Sequence, residues 1–270
     1  MVVGITGPPG AGKSTLVDRL IALRRGAGER VAVVAVDPSS PFSGGAVLGD
    51  RVRMQGHATD PGVFVRSMAT RGHHGGLARA TLGAVRVLDA AGWPLILVET
   101  VGAGQVEIDI AQAADTTVVV VPPGLGDSVQ AAKAGLLEVA DVFAVNKADV
   151  PGADQVVRDL EAMLDLGHGE WRPPIVRTVA TRDEGIAALW DAIASHPRGE
   201  DRRAAQLRAE VRGLIEHGAA AAAWRRGQGP ALEAALEAVA ARRLDPLSAV
   251  AQITGEAPGN EPSARPQARQ

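Results

Sequence analysis

A short segment near the start of the chain has the residue types and spacing that hold a phosphate group. Residues Gly7–Ser14 fit the pattern G-x-x-x-x-G-K-[ST], between an apolar run typical of a strand and a run of helical period. The glycines allow the backbone to turn its N–H groups inward, and the following helix presents the positive end of its dipole to the same charge. We therefore expect Lys13 to reach the β- and γ-phosphates of a nucleotide and Ser14 to ligate Mg²⁺.

Acidic residues stand at the ends of two predicted strands that would share an edge of the sheet with this loop. Asp37 ends the strand Val31–Asp37, and Glu99 lies near the end of the strand Leu95–Thr100. Ligands of open α/β folds bind at the carboxyl ends of the strands, and Mg²⁺ prefers oxygen ligands. We predict that Asp37 and Glu99 face the metal, and that Asp50 could join them from the following loop.

A second cluster, Asn146, Lys147 and Asp149, fits N-K-x-D directly after the apolar strand Val142–Asn146. A carboxylate at Asp149 can accept from both the ring N–H and the exocyclic amino group of guanine. Adenine offers no donor at either position, and it would leave the carboxylate without a partner in a dry pocket. Lys147 is expected to cover the base and ribose, and Asn146 to tie its loop toward the phosphate loop. The pattern favours GTP over ATP.

The segment that would sense the γ-phosphate departs from the usual pattern. Glu99–Gly102 stands where small GTPases have D-x-x-G, and the next position, which holds the water-orienting glutamine there, is Ala103. Gln105 lies two positions further on. We predict slow intrinsic hydrolysis unless Gln105 or a group supplied from elsewhere orients the water, with turnover below about one per second.

Short Val-, Ile- and Leu-rich runs alternate with longer runs of helical period along the first three quarters of the chain. This alternation predicts an α/β fold, a P-loop NTPase with a mostly parallel sheet flanked by helices. The predicted strands are Val2–Thr6, Val31–Asp37, Val63–Arg66, Leu95–Thr100, Thr117–Pro122, Val142–Asn146 and Ile175–Thr178. The predicted helices are Lys13–Arg25, Gly75–Ala91, Ser128–Ala140, Ala153–Leu166 and Gly185–Ser195.

The composition then shifts to Ala, Arg and Glu, which predicts three parts: a P-loop domain 1–198, a C-terminal helical arm 199–255 and a disordered tail 256–270. Asp245 followed by Pro246 predicts the start of the last helix. The arm's apolar stripes need a surface to cover them, either their own domain or a second copy, and helix stripes alone leave both open. The stripes contain Leu207, Val211, Leu214 and Ile215, then Leu232, Leu236 and Val239, then Leu247, Val250 and Ile253.

Composition narrows the range of partners and locations. The formal net charge is −3, from 28 basic and 31 acidic residues, and no basic stripe predicts binding to nucleic acid. No apolar run is long enough to span a bilayer, and the first residues do not resemble a signal peptide. The chain contains no cysteine, which excludes disulfides and thiolate metal sites. We expect a cytoplasmic protein that binds neither nucleic acid nor membrane.

Together these motifs resemble the MeaB/ArgK/MMAA family of P-loop GTPases over about residues 2–255. The DPSSPF block at 37–42 and the GGAVLGDR block at 44–51 are more specific than the phosphate loop. The resemblance implies that Ser14, Asp37, Asp50 and Glu99 lie around Mg²⁺. It also implies that Asp127, Gln130 and Lys133 form a third switch that contacts a client, whereas composition alone would make this segment a solvated helix start.

Members of this family are homodimeric chaperones of adenosylcobalamin-dependent acyl-CoA mutases, chiefly methylmalonyl-CoA mutase. The resemblance thus implies a GTPase that gates cofactor loading and protects or reactivates such a mutase, with dimers formed through the C-terminal helices. One departure concerns the fifth nucleotide motif, usually serine-alanine, which here reads Val179-Ala180 after Thr178 and leaves only a backbone contact to the guanine oxygen.

Besides the metal and switch residues, the predicted site has two further sets of residues, and its ligands are Mg²⁺ and GTP or GDP. Nucleotide binding is predicted for Gly7, Pro8, Pro9, Gly10, Ala11, Gly12, Lys13, Ser14, Thr15, Asn146, Lys147, Asp149, Val179 and Ala180. Catalytic roles are predicted for Lys13, Glu99, Gln105 and Lys133.

Three other functions stay open on the sequence. A kinase or transport-associated ATPase is disfavoured by Asp149, and a nickel metallochaperone GTPase by the lack of cysteine, with His73-His74 as the one adjacent histidine pair. A nucleotide-dependent binding module with negligible turnover is compatible with Ala103.

Overall fold

Seven parallel strands form one sheet in the computed structural model of the protein. The structure describes residues 1–37, 55–57, 59–69, 76–100, 114–124, 139–166, 171–197 and 200–255. The strands are β1 Val2–Thr6, β2 Val31–Asp37, β3 Val63–Ala69, β4 Leu95–Thr100, β5 Thr116–Val121, β6 Val142–Asn146 and β7 Ile175–Thr178. Their order in the sheet is β3-β2-β4-β1-β5-β6-β7, so β1 lies in the middle with β4 and β5 beside it.

Helices cover both faces of this sheet, because successive strand residues alternate between two apolar layers. The helices of this part are α1 Lys13–Gly26, α2 Gly76–Ala90, α3 Ala153–Leu164 and α4 Ile186–Ser195. On β4, Leu97 packs in the layer covered by α1 and α4, whereas Ile96 and Val98 pack in the layer covered by α2. A third cluster joins β5 and β6 to α3 around Phe143.

The predicted α/β class and the parallel sheet are confirmed, and most element ends agree within two residues. The third strand is longer than predicted because its pairing with β2 continues to the pair Asp37 and Ala69. The fifth strand begins one residue earlier, at Thr116, and ends at Val121. Of the helix predicted over 128–140, only the last two residues are described.

The contacts divide the chain into one unit that ends at Gln206 and a second that begins at Leu207. The second unit contains most of α5 (Glu200–Gly227), then α6 (Pro230–Ala240) and α7 (Pro246–Thr254). Within it, a Cβ on Gly227 would lie 2.6 Å from Ile253 Cγ2, so the glycine allows α5 and α7 to approach closely. The predicted cap of the last helix is confirmed, since the Asp245 side chain accepts from the N–H groups of Leu247 and Ser248.

The apolar stripe predicted on α5 is exposed in the structure. Leu207, Val211, Leu214 and Ile215 have 52%, 47%, 53% and 66% of their surface exposed. None of the described helices combines the length and the apolar character needed to cross a membrane. The tail predicted to be disordered, 256–270, lies outside the described residues.

Candidate nucleotide site

The phosphate loop runs from the end of β1 into the first turn of α1, in the position predicted. Gly7 has a φ of 139°, and a Cβ there would lie 2.2 Å from the carbonyl oxygen of Val120 on the adjacent strand. A side chain larger than glycine's hydrogen would collide with backbone, so β5 approaches the loop only because residue 7 is glycine. The loop is thereby held against the carboxyl edge of the sheet, where ligands bind in this class of fold.

The side chain of Lys13 lies over this loop. Its Nζ donates to the carbonyl oxygens of Gly7, at 2.7 Å, and of Pro8, at 2.9 Å. Lys13 is buried, with 6% of its surface exposed. A buried ammonium group held at a helix N-terminus is placed to interact with phosphate oxygens, because the helix dipole adds to its positive charge.

Gly12 is required for a different reason from Gly7. It precedes α1 with a φ of 90°, in the left-handed region, and a Cβ would lie 2.4 Å from Asn146 Nδ2. The absence of a side chain allows the amide of Asn146 to reach the carbonyl oxygen of Ala11 at 2.8 Å. The phosphate loop is therefore connected directly to the segment Asn146–Asp149, the predicted base-reading loop, as the sequence predicted for Asn146.

Asn146 also connects these loops to the end of β7. Its Oδ1 accepts from Thr178 Oγ1 at 3.1 Å and from the N–H of Ala180 at 3.2 Å. With 2% of its surface exposed, Asn146 is buried, and these bonds satisfy its donor and acceptor atoms inside the protein. Three separate segments of the chain are thus joined through one side chain.

Ser14 and Glu99 meet beside the phosphate loop. Ser14 Oγ donates to Glu99 Oε1 at 2.6 Å, and both residues are buried. A second pair in the same region joins the hydroxyl of Thr100 to that of Thr6 at 3.2 Å. The sequence placed Ser14 and Glu99 in the metal site, and the structure brings these two together.

The donor set at this point suits Mg²⁺. A hydroxyl and a carboxylate offer only oxygen, which Mg²⁺ prefers, and the ion ordinarily takes one or two protein carboxylates together with substrate phosphates and water. Asp37 ends β2 at the same edge of the sheet, opposite Ala69 of β3. In the described residues no group of three or more His, Asp or Glu side chains is placed to hold a metal ion.

The base end of the site is more exposed than the phosphate end. Lys147 has a φ of 59°, in the left-handed region that few residues other than glycine adopt. The next residue is tied to β7, because the N–H of Ala148 donates to the carbonyl oxygen of Thr178 at 3.0 Å. Asp149 follows at the rim, where 36% of its side chain is exposed. The turn that contains Lys147 and Asp149 is thus held at the edge of the sheet by its hydrogen bond to β7.

The sequence did not identify Arg182, which contacts the predicted base-reading carboxylate. Arg182 Nη1 donates to Asp149 Oδ2 at 3.2 Å, and Arg182 Nε donates to Glu184 Oε1 at 2.7 Å. The hydrogen bond that Arg182 donates to the carboxylate of Glu184 raises the pKa of the Arg182 guanidinium above its ordinary value. Arg182 ends the short 3₁₀ helix Ala180–Arg182 in the loop between β7 and α4, and no spacing rule linked that loop to Asp149.

The predicted backbone contacts of the fifth motif are occupied within the protein. The N–H of Ala180 donates to Asn146, and that of Val179 donates to the carbonyl oxygen of Glu184 at 3.0 Å. A contact from Ala180 to a guanine oxygen stays a prediction, and it would require that N–H to be shared between two acceptors.

Several predicted residues lie outside the described part of the chain. The structure gives the backbone of Asp37 and does not describe its side chain. The other residues outside the description are Asp50, Gln105, Asp127, Gln130 and Lys133. Their predicted roles at the metal, in catalysis and in client contact stay predictions.

The fold and this site together define the P-loop nucleoside-triphosphatase class. The defining features are the parallel sheet, the glycine-rich loop after its central strand, the lysine over that loop and the buried Ser–Glu pair beside it. Residues 1–218 match the family model described as "Methylmalonyl Co-A mutase-associated GTPase MeaB". The chain belongs to this family of GTPases.

Individual relatives agree with this assignment. A Pyrococcus abyssi protein that is named as a GTPase is 51% identical, over 94% of this chain and 82% of its own length. The mouse protein named "Methylmalonic aciduria type A homolog, mitochondrial" is 38% identical, over 71% of this chain and 48% of its own length. The crystal structure of an LAO/AO transport system kinase superposes with a TM-score of 0.64 at 26% identity, covering 94% of this chain and 80% of that one.

Proposed function

We propose that this chain is a GTP-hydrolysing chaperone that gates adenosylcobalamin loading into an acyl-CoA mutase, such as methylmalonyl-CoA mutase, and protects or reactivates that enzyme. The observation that carries the nucleotide part is the Asn146 side chain, which joins the phosphate loop, the base-reading loop and the end of β7. A ligand that spans all three segments, with phosphates at one end and a base at the other, matches this arrangement.

At the phosphate end, the loop N–H groups, the α1 dipole and Lys13 would together bind the β- and γ-phosphates. Mg²⁺ held by Ser14 and Glu99, with Asp37 and Asp50 as further candidates, would neutralise charge on the phosphate oxygens. In hydrolysis the water oxygen bonds to the γ-phosphorus, the bond to the β–γ bridging oxygen breaks, and the products are GDP and phosphate. Lys13 would stabilise the charge that develops on that bridging oxygen.

At the base end, Asp149 would select guanine, because its carboxylate can accept from both donors on that edge of the ring. Its side chain is accessible at the rim, where a base held by the phosphate loop would arrive. Adenine would leave this acceptor without a donor, which lowers its affinity. Lys147, with its backbone in the left-handed region, would cover the base and ribose.

Slow intrinsic hydrolysis is the expected kinetic behaviour. Ala103 stands where small GTPases carry the water-orienting glutamine. We propose that Gln105, or a group delivered when a client contacts the segment of Asp127, Gln130 and Lys133, completes the site. GTP would then act as a timer that runs faster when the client is bound.

The client is proposed from family membership. The family description names association with methylmalonyl Co-A mutase, and the mouse relative is named for methylmalonic aciduria. An adenosylcobalamin-dependent mutase is therefore the partner to test first. The cytoplasmic location expected from the sequence stays a prediction.

A homodimer through the C-terminal helices is also part of the proposal. Helix α5 extends for about 42 Å at the usual rise per residue. Its exposed residues Leu207, Val211, Leu214 and Ile215 recur at the spacing of one helix face. In a two-fold dimer the same stripe on a second copy would cover this face. Sedimentation should show a dimer that Leu214→Glu dissociates and the control Glu216→Lys does not, and a wild type that is monomeric at all concentrations would contradict the dimer.

The main experiment measures nucleotide affinity and turnover with and without a candidate mutase. We expect GTP to bind at least about a hundredfold more tightly than ATP, and the mutase to raise turnover of GTP. Equal affinity for ATP would favour the kinase-type alternative, and turnover that no mutase changes would contradict the chaperone role. Retained binding with no turnover under any condition would favour a nucleotide-dependent binding module.

A further inference from the structure

Three contacts hold the guanidinium of Arg182 beside the predicted base-reading carboxylate. Nη1 donates to Asp149 Oδ2 at 3.2 Å, while Nε and Nη2 donate to the two oxygens of Glu184 at 2.7 and 3.3 Å. Glu184 itself is fixed to the loop, since its backbone exchanges hydrogen bonds with Val179 at 3.0 and 3.3 Å. The contacts of Arg182 with Glu184, in its own loop, therefore fix its position independently of Asp149.

This loop and the base-reading loop are held in register by a buried contact. The N–H of Ala180, two residues before Arg182, donates to Asn146 Oδ1, three residues before Asp149. The same two loops are thus joined twice. The Asn146–Ala180 hydrogen bond is buried, and the Asp149–Arg182 hydrogen bond lies at the protein surface. Because the inner bond is buried and fixes the spacing of the loops, the outer pair meets at a defined position.

An arginine at this position can control how Asp149 presents its carboxylate. The terminal torsion of aspartate is broad, so a carboxylate at the rim rotates readily when nothing holds it. An ionised carboxylate has about four acceptor positions on two oxygens, and Arg182 uses one of them on Oδ2. The remaining positions, including those on Oδ1, stay available for the two donors of guanine. The neighbouring fifth-motif residue Val179 has no hydroxyl with which to do the same.

We propose that Arg182 is a positioning residue that holds Asp149 in the orientation that reads guanine. This inference rests on the proposed function, since it requires that Asp149 bind the base. Arg182 does not act on the phosphates, so its contribution is to base selectivity. A competing role follows from the same contact: Arg182 could occupy Asp149 and oppose base binding, and the two roles predict opposite effects of removing the arginine.

The test compares Arg182→Ala with the matched control Arg177→Ala in the full chain. Arg177 also pairs with an aspartate, Asp154, and is about as exposed as Arg182. Affinities are measured for GDP, for IDP, which lacks the exocyclic amino group, and for ADP. We expect Arg182→Ala to weaken GDP binding about fivefold and to reduce the preference for GDP over IDP. ADP affinity and the control should stay unchanged.

A conservative variant and a double variant separate positioning from a structural role. Arg182→Lys keeps the charge and loses the planar fork, so it should restore part of the preference for GDP over IDP. In an Asp149→Ala background, Arg182→Ala should have no further effect, because its target is gone. GDP affinity that is unchanged or tighter in Arg182→Ala, or an equal loss for GDP, IDP and ADP, would overturn the proposal. A wild type without preference for GDP over ADP would instead overturn the guanine-reading function itself.

Discussion

The two edges of the sheet each carry buried polar residues, but only one of them has the form of a site. At the carboxyl edge, Ser14 bonds to Glu99, and Asn146 bonds to both the phosphate loop and the end of β7. At the amino edge, His196 Nδ1 lies 3.1 Å from Thr116 Oγ1, and His196 Nε2 lies 3.2 Å from Asp141 Oδ1. A histidine between a hydroxyl group and a carboxylate is an arrangement that catalytic sites also use.

The amino-edge cluster is closed by its surroundings. Trp171 packs edge-on against the His196 ring, with 5.1 Å between ring centroids, and its indole N–H donates to the carbonyl oxygen of Asp141. Asp141 Oδ2 accepts from the N–H of Thr117 at 2.7 Å, which fixes the start of β5. His196 has 5% of its surface exposed. This cluster joins strand ends to the end of α4, and its atoms face protein.

The carboxyl edge differs in its backbone. Gly7, Gly10 and Gly12 all have positive φ, which turns the loop away from the backbone conformation of strands and helices. A buried polar cluster is therefore a candidate site only when the backbone beside it leaves room for a ligand. Residue types alone do not distinguish the two edges.

The largest effect that separates the two edges is expected from Lys13→Ala. Removing the ammonium group takes away a buried charge beside the phosphate loop, where the γ-phosphate is predicted to bind, so GTP hydrolysis should fall by about 10²- to 10³-fold. Single-turnover assays would measure this, and thermal unfolding would show that the fold persists. Hydrolysis within a factor of about two of wild type would remove the carboxyl edge as the reaction site.

Asn146→Ala should weaken both the fold and the site. It would leave the Ala11 carbonyl, the Thr178 hydroxyl and the Ala180 N–H without their present partner, at a cost of about 3 kcal/mol in the free energy of unfolding. GTP affinity should fall as well, because the two loops lose their connection. Urea denaturation and nucleotide titration test this, and a loss of stability with unchanged affinity would contradict the link between the loops.

His196→Ala should affect stability alone. The buried imidazole bridges Thr116 and Asp141, and we expect its loss to lower the free energy of unfolding by about 2 kcal/mol. The affinity for GTP should match wild type, since the amino edge faces away from the phosphate loop. A changed GTP affinity in His196→Ala would break the distinction between the edges.

The smallest effect concerns an ion pair on the amino side. Arg25 donates to Asp60 at 2.8 and 2.9 Å, and this hydrogen bond holds the pKa of Asp60 below its ordinary value of 3.8. Because the folded pKa is lowered, the stabilisation is complete above the ordinary value and is lost as the pH falls through the folded one. Denaturation as a function of pH should therefore show a smaller acid-side loss in Asp60→Asn. Identical pH profiles for both proteins would contradict this contribution.

Much of the fold followed from local pattern. Val118–Val121 is apolar on both faces, and such a run has few places other than the centre of a parallel sheet. Asp245 and Pro246 marked a helix start because capping depends on neighbouring residues. The end of β3 was misplaced because pairing with β2, across a separation of about thirty residues, extends it to Ala69.

The sequence by itself was enough to locate the phosphate loop and the base motif. Each is a contiguous run of residues, and all the residues of one run are predicted to contact one part of the ligand. Tertiary structure alone decided that Asn146 also bonds to the end of β7, that Arg182 reaches Asp149, and that His196 is closed in beside Trp171. These contacts join residues far apart in the chain. Their distances depend on how the strands align, which no local spacing encodes.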